Sequence, residues 1–279
     1  MPPERIAESL PYINWTVLTA LGVGSFLFVV AGRFRTDATR GYLAFTSFTA
    51  AIFAALAAAS EGGLPQATLG APPDAIAWQS LRGLALVALS IVAVVYAIAL
   101  RRGSRATPVA LAGVAAAAVA LGSASAYWAP VTVGSSILLF AQLLALSAAL
   151  GGVWAAMILG HWYLVTPRLP EAALVRFARW LTLVVAAQLV LFFVWVGFGA
   201  GPAGLPAFAA LTTLPWALFV WLRLIVGLVF PLIVGIAAIA TARTRSMESA
   251  TGLLYINVGT IASGTILSAG MYFGAGLLV

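Results

Sequence analysis

Residues 18–40 read LTALGVGSFLFVVAGRFRTDATR. From position 13 to position 32 no residue is charged, and twenty residues at a helical rise of 1.5 Å cover about 30 Å, the thickness of a bilayer's hydrocarbon core. Three arginines, Arg33, Arg35 and Arg40, follow at once. An apolar run closed by a basic cluster is the signature of a transmembrane helix whose end lies on the cytoplasmic side.

The same reading extends outward. Of 279 residues, 63% are hydrophobic and 8% charged, with a mean hydropathy of +1.09, which excludes a water-soluble domain. Eight apolar runs are long enough to span, near 13–32, 41–60, 82–100, 108–128, 136–162, 177–199, 216–241 and 250–273. The fold expected is therefore all-α, a polytopic integral membrane protein of eight transmembrane helices.

Charge sets the orientation. Arg33, Arg35 and Arg40 follow the first span, Arg101, Arg102 and Arg105 the third, Arg168, Arg176 and Arg179 the fifth, and Arg243 and Arg245 the seventh. The intervening connections carry only Glu61 and Asp74, or no charge. The arginine-bearing loops are expected in the cytoplasm and both termini on the extracytoplasmic side of a prokaryotic inner membrane. No small-residue cleavage pattern follows the first run, so it reads as a retained span. The net charge of +7 is accordingly a topology signal and does not point to nucleic acid.

Residues 18–34 also align without gaps on 146–162, LSAALGGVWAAMILGHW, pairing Leu18, Ala20, Gly24 and Gly32 with Leu146, Ala148, Gly152 and Gly160. This predicts a tandem repeat of two four-helix halves, 1–129 and 130–279, forming one membrane domain about an axis along the membrane normal. In span count, external termini and paired halves the chain resembles the NrfD-type membrane anchors of quinol-linked oxidoreductases. That resemblance implies a quinone ligand and redox partner subunits.

Composition narrows the chemistry. Cysteine and lysine are absent, which removes thiolate metal sites, iron–sulfur clusters, dithiol relays and Schiff-base chemistry; no metal cluster is expected. The lone histidine, His161, excludes bis-histidine haem b. A haem held by His161 with Met157, Met247 or Met271, or shared across an oligomer, stays open. The seven acids, Glu4, Glu8, Asp37, Glu61, Asp74, Glu171 and Glu248, lie in loops or at span ends, which disfavours proton-coupled transport.

Two groups of polar residues are candidate ligand sites. At the cytoplasmic end, His161, Trp162, Tyr163 and Arg168 offer a titratable group beside aromatic rings, suited to a quinone head; the alternative is an interfacial aromatic belt. Asn257 is placed to meet His161. Nearer the outer end, Arg223 is expected to contact Gln142, with Gln188 among the few other polar groups inside the bundle. Pro231 strips the carbonyl of Gly227 of its helical donor, predicting a bend in the seventh span. Small-xxx-small spacings at Gly197/Gly201 and Gly270/Gly274 suggest close helix contacts. Two further functions stay open: a permease for a small neutral or anionic solute, with Arg223 at its outer mouth, and a non-catalytic assembly protein. Membrane lipids contact any of them.

Overall fold

The computed structural model describes residues 3–65, 73–129, 133–166, 169–202 and 205–279. Its helices are α1 (Pro3–Arg35), α2 (Arg40–Ser60), α3 (Pro73–Arg101), α4 (Thr107–Trp128), α5 (Val133–Val165), α6 (Ala172–Phe198), α7 (Trp216–Leu224), α8 (Phe230–Arg243) and α9 (Met247–Ala275). A π-helical turn, Ile225–Val229, joins α7 to α8, so α7, that turn and α8 form one broken span. Among the described residues there are eight helices long and apolar enough to cross a membrane. They outrun the apolar runs of the sequence, α1 and α5 reaching 33 residues each, because a helix continues through the headgroup region where charged side chains are tolerated.

Local chemistry ends the helices at the arginine-bearing end. Gly103, at φ +84°, takes the left-handed conformation that terminates α3. There the amides of Gly103 and Ser104 bond back to the carbonyls of Leu100 and Ala99, both at 3.0 Å. Between α1 and α2, Thr36 Oγ1 donates to the Gly32 carbonyl at 2.6 Å, and Thr39 caps α2 by accepting from the Tyr42 amide at 3.4 Å.

Two helices occupy the centre. The most apolar stretch of α5 is 78% buried within the protein and that of α1 67%, against 28% for α6. α1 packs along α5, while α2, α3 and α4 follow one another around α1, and α6, α8 and α9 around α5. The fourth span of each set also touches the first helix of the other: α4 meets α5, and α9 meets α1. One continuous core runs through both sets, from Trp15 and Leu43 to Leu174 and Leu254.

The α1–α5 crossing is a backbone contact. Gly24 lies against Ser147, and Gly151 against Gly24 and Ser25. Ser25 Oγ donates to the Gly151 carbonyl at 3.2 Å, and the Tyr42 hydroxyl to the Ala155 carbonyl at 2.9 Å. Apolar side chains gain little by leaving lipid for protein, so close backbone approach and interhelical hydrogen bonds hold such helices together. The spacing at Gly197 does not play this part, since nothing lies within 4 Å of a Cβ built there, and Gly270 meets only Ile13, at 3.5 Å.

A Cβ on Gly24 would fall 1.7 Å from the Ser147 carbonyl oxygen. Gly24→Ala is therefore expected to force the central helices apart and destabilise the protein by about 1–3 kcal/mol or more. This would appear as a lowered thermal midpoint in detergent, while Gly197→Ala leaves the midpoint unchanged.

Candidate functional site

The cluster at the arginine-bearing end does not converge. Consecutive helical residues point about a third of a turn apart, and the three side chains diverge accordingly. His161 is exposed. Trp162 leaves α5 toward α2, lying over Gly41 and meeting the rings of Tyr42 and Phe45 at 6.4 and 6.5 Å. Tyr163 is buried, and its hydroxyl donates to the Pro170 carbonyl, pinning the turn between α5 and α6. Arg168 lies outside the described residues. His161, Trp162 and Tyr163 thus face different surroundings, as an exposed imidazole and two aromatic anchors.

Asn257 does not meet His161 either. The neighbour of the α5 end is Thr251, against which Gly160 packs. Asn257 is six residues, about 9 Å, further along α9, fully buried, and donates through Nδ2 to the Pro231 carbonyl at 3.2 Å.

That bond belongs to the break in the seventh span, which falls where Pro231 predicts it. Proline supplies no amide for the carbonyl of Gly227, and the helix widens into the π turn Ile225–Val229 just before it. Arg223 occupies the space. Its Nη1 donates to the Gly227 carbonyl at 3.4 Å and its Nη2 to Gln188 Oε1 at 2.8 Å. Gln188 in turn donates from Nε2 to the Ala145 carbonyl at 2.7 Å. Gly227 and Gly264 lie Cα to Cα, leaving room for the guanidinium beside them. The partner of Arg223 is therefore Gln188 on α6, a correction to the expected contact with Gln142. At 1% exposure its guanidinium is closed off from the surface.

Gln142 serves another junction. Its Nε2 donates to Ser268 Oγ at 3.1 Å and to the main-chain oxygen of Val279 at 2.7 Å, so both amide hydrogens are engaged. No described residue donates to its Oε1, and the residue lines a cavity of about 330 Å³ between the far ends of α5, α6 and α9. Leu139, Leu191, Trp195, Phe198 and Tyr272 supply most of the wall. Trp195 Nε1 is bonded to the Ala200 carbonyl at 3.2 Å and the Tyr272 hydroxyl to that of Trp128 at 3.0 Å. Among the described residues no charged side chain lines the cavity.

A cluster at the far end of α1, α2 and α3 escaped the sequence reading. Arg82 is 1% exposed and paired bidentately with Glu61, Nε to Oε1 at 2.8 Å and Nη2 to Oε2 at 2.6 Å. Trp15 Nε1 also donates to Glu61 Oε1, at 2.6 Å. The guanidinium lies 4.4 Å from the Trp128 ring centroid and 5.4 Å from those of Trp15 and Tyr127. The available signal was the pairing of one acid after the second span with one arginine at the start of the third, both flanked by aromatic chain ends. The arrangement neutralises and encloses the cation, so its role is to close this end of the bundle.

The chain matches no known protein-family model and no curated protein sequence.

Glu61→Ala leaves a buried guanidinium without its counter-charge and is expected to destabilise by about 3–5 kcal/mol. Arg223→Met leaves the Gly227 carbonyl and Gln188 Oε1 without a donor, for roughly 1–3 kcal/mol. Thermal unfolding of the two purified variants gives the order; a larger loss in Arg223→Met would mean that the proline break depends on its arginine more than the first half depends on its ion pair.

Proposed function

We propose that the protein is a membrane subunit that holds a quinol, or a neutral amphiphile like it, and works beside redox partner subunits. Its arginine-bearing end faces the cytoplasm of a prokaryote and both termini lie on the other side. The single observation behind this reading is the cavity at the far end: mostly apolar and aromatic walls, no charged side chain among the described residues that line it, and Gln142, whose Nε2 is engaged while no described residue donates to its Oε1.

The chemistry of that acceptor selects the ligand. With both Nε2 hydrogens engaged, Gln142 takes an O–H and offers none, which favours a quinol's hydroxyl over a quinone's carbonyl. A charged head would enter a largely apolar space, with no charged side chain among its described lining residues to pair it, at a desolvation cost, so we read the ligand as neutral. The ligand thus sits at the opposite end from His161. The chain has no cysteine and one histidine, so electrons leaving a bound quinol pass to a partner. The two sets of four helices are read as descendants of one four-helix unit, on the alignment of 18–34 with 146–162 and the parallel order of their neighbours.

A quinol analogue titrated onto the purified protein and followed by tryptophan fluorescence tests the reading. Gln142→Leu removes the acceptor and is expected to weaken quinol binding by about three- to tenfold, the worth of one hydrogen bond, with little change for the oxidised quinone. Leu138→Trp, at a half-exposed wall position, fills the cavity and abolishes binding of both. Unchanged quinol affinity in both variants would remove the proposal.

A further inference from the structure

On the arginine-bearing half of the protein a groove of about 650 Å³ runs between α1 and α6. Leu27, Phe28 and Ala31 on one helix and Val184 on the other form its apolar length; Trp180 stands above them, and Arg35 and Arg176 close the top. From Val184 to Arg176 is eight residues, about 12 Å of helix, the depth of a headgroup and the upper part of its acyl chains. The floor is rigid: the Phe28 ring packs on those of Phe177 and Trp180 at 5.7 and 6.2 Å, in space that Gly152 leaves open behind it.

The two arginines are without counter-charge. The ion pairs among the described residues are Arg82–Glu61 and Arg245–Glu171; Asp37, the acid nearest Arg35 in sequence, pairs with neither groove arginine. The corresponding place on the other side of the α1–α5 pair, between α2 and α5, is filled by the protein itself. There Trp154 packs on Phe53 at 5.4 Å and bonds Thr49 at 3.4 Å, while Trp162 packs on Phe45. Nothing in the described chain fills the α1–α6 groove in this way.

We infer that this groove binds an anionic phospholipid of the surrounding bilayer, its phosphate held by Arg35 and Arg176 and its chains laid along Phe28, Trp180 and Val184. Guanidinium groups take phosphate oxygens in pairs through their fixed fork of donors. A basic rim over an apolar slot between membrane helices is the arrangement that selects an anionic headgroup. The occupant is a lipid, not a soluble phosphate, because the slot below the arginines opens sideways onto the exposed, lipid-facing surface and offers that length to hydrocarbon. The inference is independent of the quinol reading, which concerns a different cavity at the other end.

The test uses the whole protein purified in a mild detergent, with retained phosphatidylglycerol counted by native mass spectrometry and its affinity measured by titration. Arg35→Gln and Arg176→Gln are each expected to weaken binding about fivefold, and the double variant roughly thirtyfold. Arg179→Gln, exposed on the same turn region but outside the groove, leaves binding unchanged. Phosphatidylcholine and millimolar inorganic phosphate fail to displace the bound lipid. Equal loss in Arg179→Gln would reduce the effect to general interfacial charge and overturn the inference. So would equal binding of phosphatidylcholine, displacement by inorganic phosphate, or an unaltered double variant. Folding of each variant is checked by its thermal midpoint, which these exposed substitutions leave in place.

Discussion

Where α1 crosses α5, the absence of side chains at Gly24 and Gly151 lets two backbones touch, and everything else in the bundle is arranged around that contact. Helices surrounded by lipid have no hydrophobic incentive to associate, so the approach must be close enough for dispersion and for bonds such as Ser25 to the Gly151 carbonyl. With α1 and α5 joined, each has flanks that the remaining helices cover, α2 to α4 on one side and α6 to α9 on the other. Where α1 runs beside α6 the cover is incomplete, which is why the groove with Arg35 and Arg176 exists at all.

A second constraint is that polar groups inside the bundle must find partners within the protein. The two buried arginines meet it differently. Arg82 has a carboxylate, Glu61, and a wall of aromatic rings. Arg223 has no acid; it is held by a glutamine and by the carbonyl that Pro231 orphans, so the break in the helix and the arginine satisfy each other. Asn257 supports the same break from α9. A charge, a proline and an amide that could pass for a transport pathway in the sequence are thus engaged in keeping one interrupted span intact.

How much of this was legible beforehand follows from the range of each signal. The spans and the arginine-bearing loops are written in runs of twenty residues, and the structure reproduces all eight helices. The break at Pro231 is equally local, since proline's missing amide acts on a carbonyl one turn away. Partner choice is not local. Gln142 and Gln188 lie at similar depth on neighbouring helices, and only the rotation of α5 and α6 about their axes turns Gln188 toward Arg223. The divergence of His161, Trp162 and Tyr163 could have been read in advance, because three successive residues of a helix cannot face one point. Their chemical promise as a set depended on ignoring that geometry. Arg82 and Glu61 were hidden for the opposite reason: twenty-one residues apart, across a loop, they showed no periodicity to connect them.

In a bundle where most of the interior polar side chains make at least one hydrogen bond within the protein, capacity for ligands resides in unpartnered groups that face open space. Hydroxyls of serine and threonine mostly bond the preceding turn of their own helix, as Thr182 does to the Ala178 carbonyl, and offer nothing outward. Gln142 Oε1 and the Arg35 and Arg176 guanidiniums differ in each belonging to a residue that lines an open space while having no hydrogen-bond or ion-pair partner among the described residues. The first is a neutral acceptor within a largely apolar cavity, the others cations at a basic rim, so the guests proposed for the two ends are chemically opposite: an uncharged hydroxyl at one and a phosphate at the other.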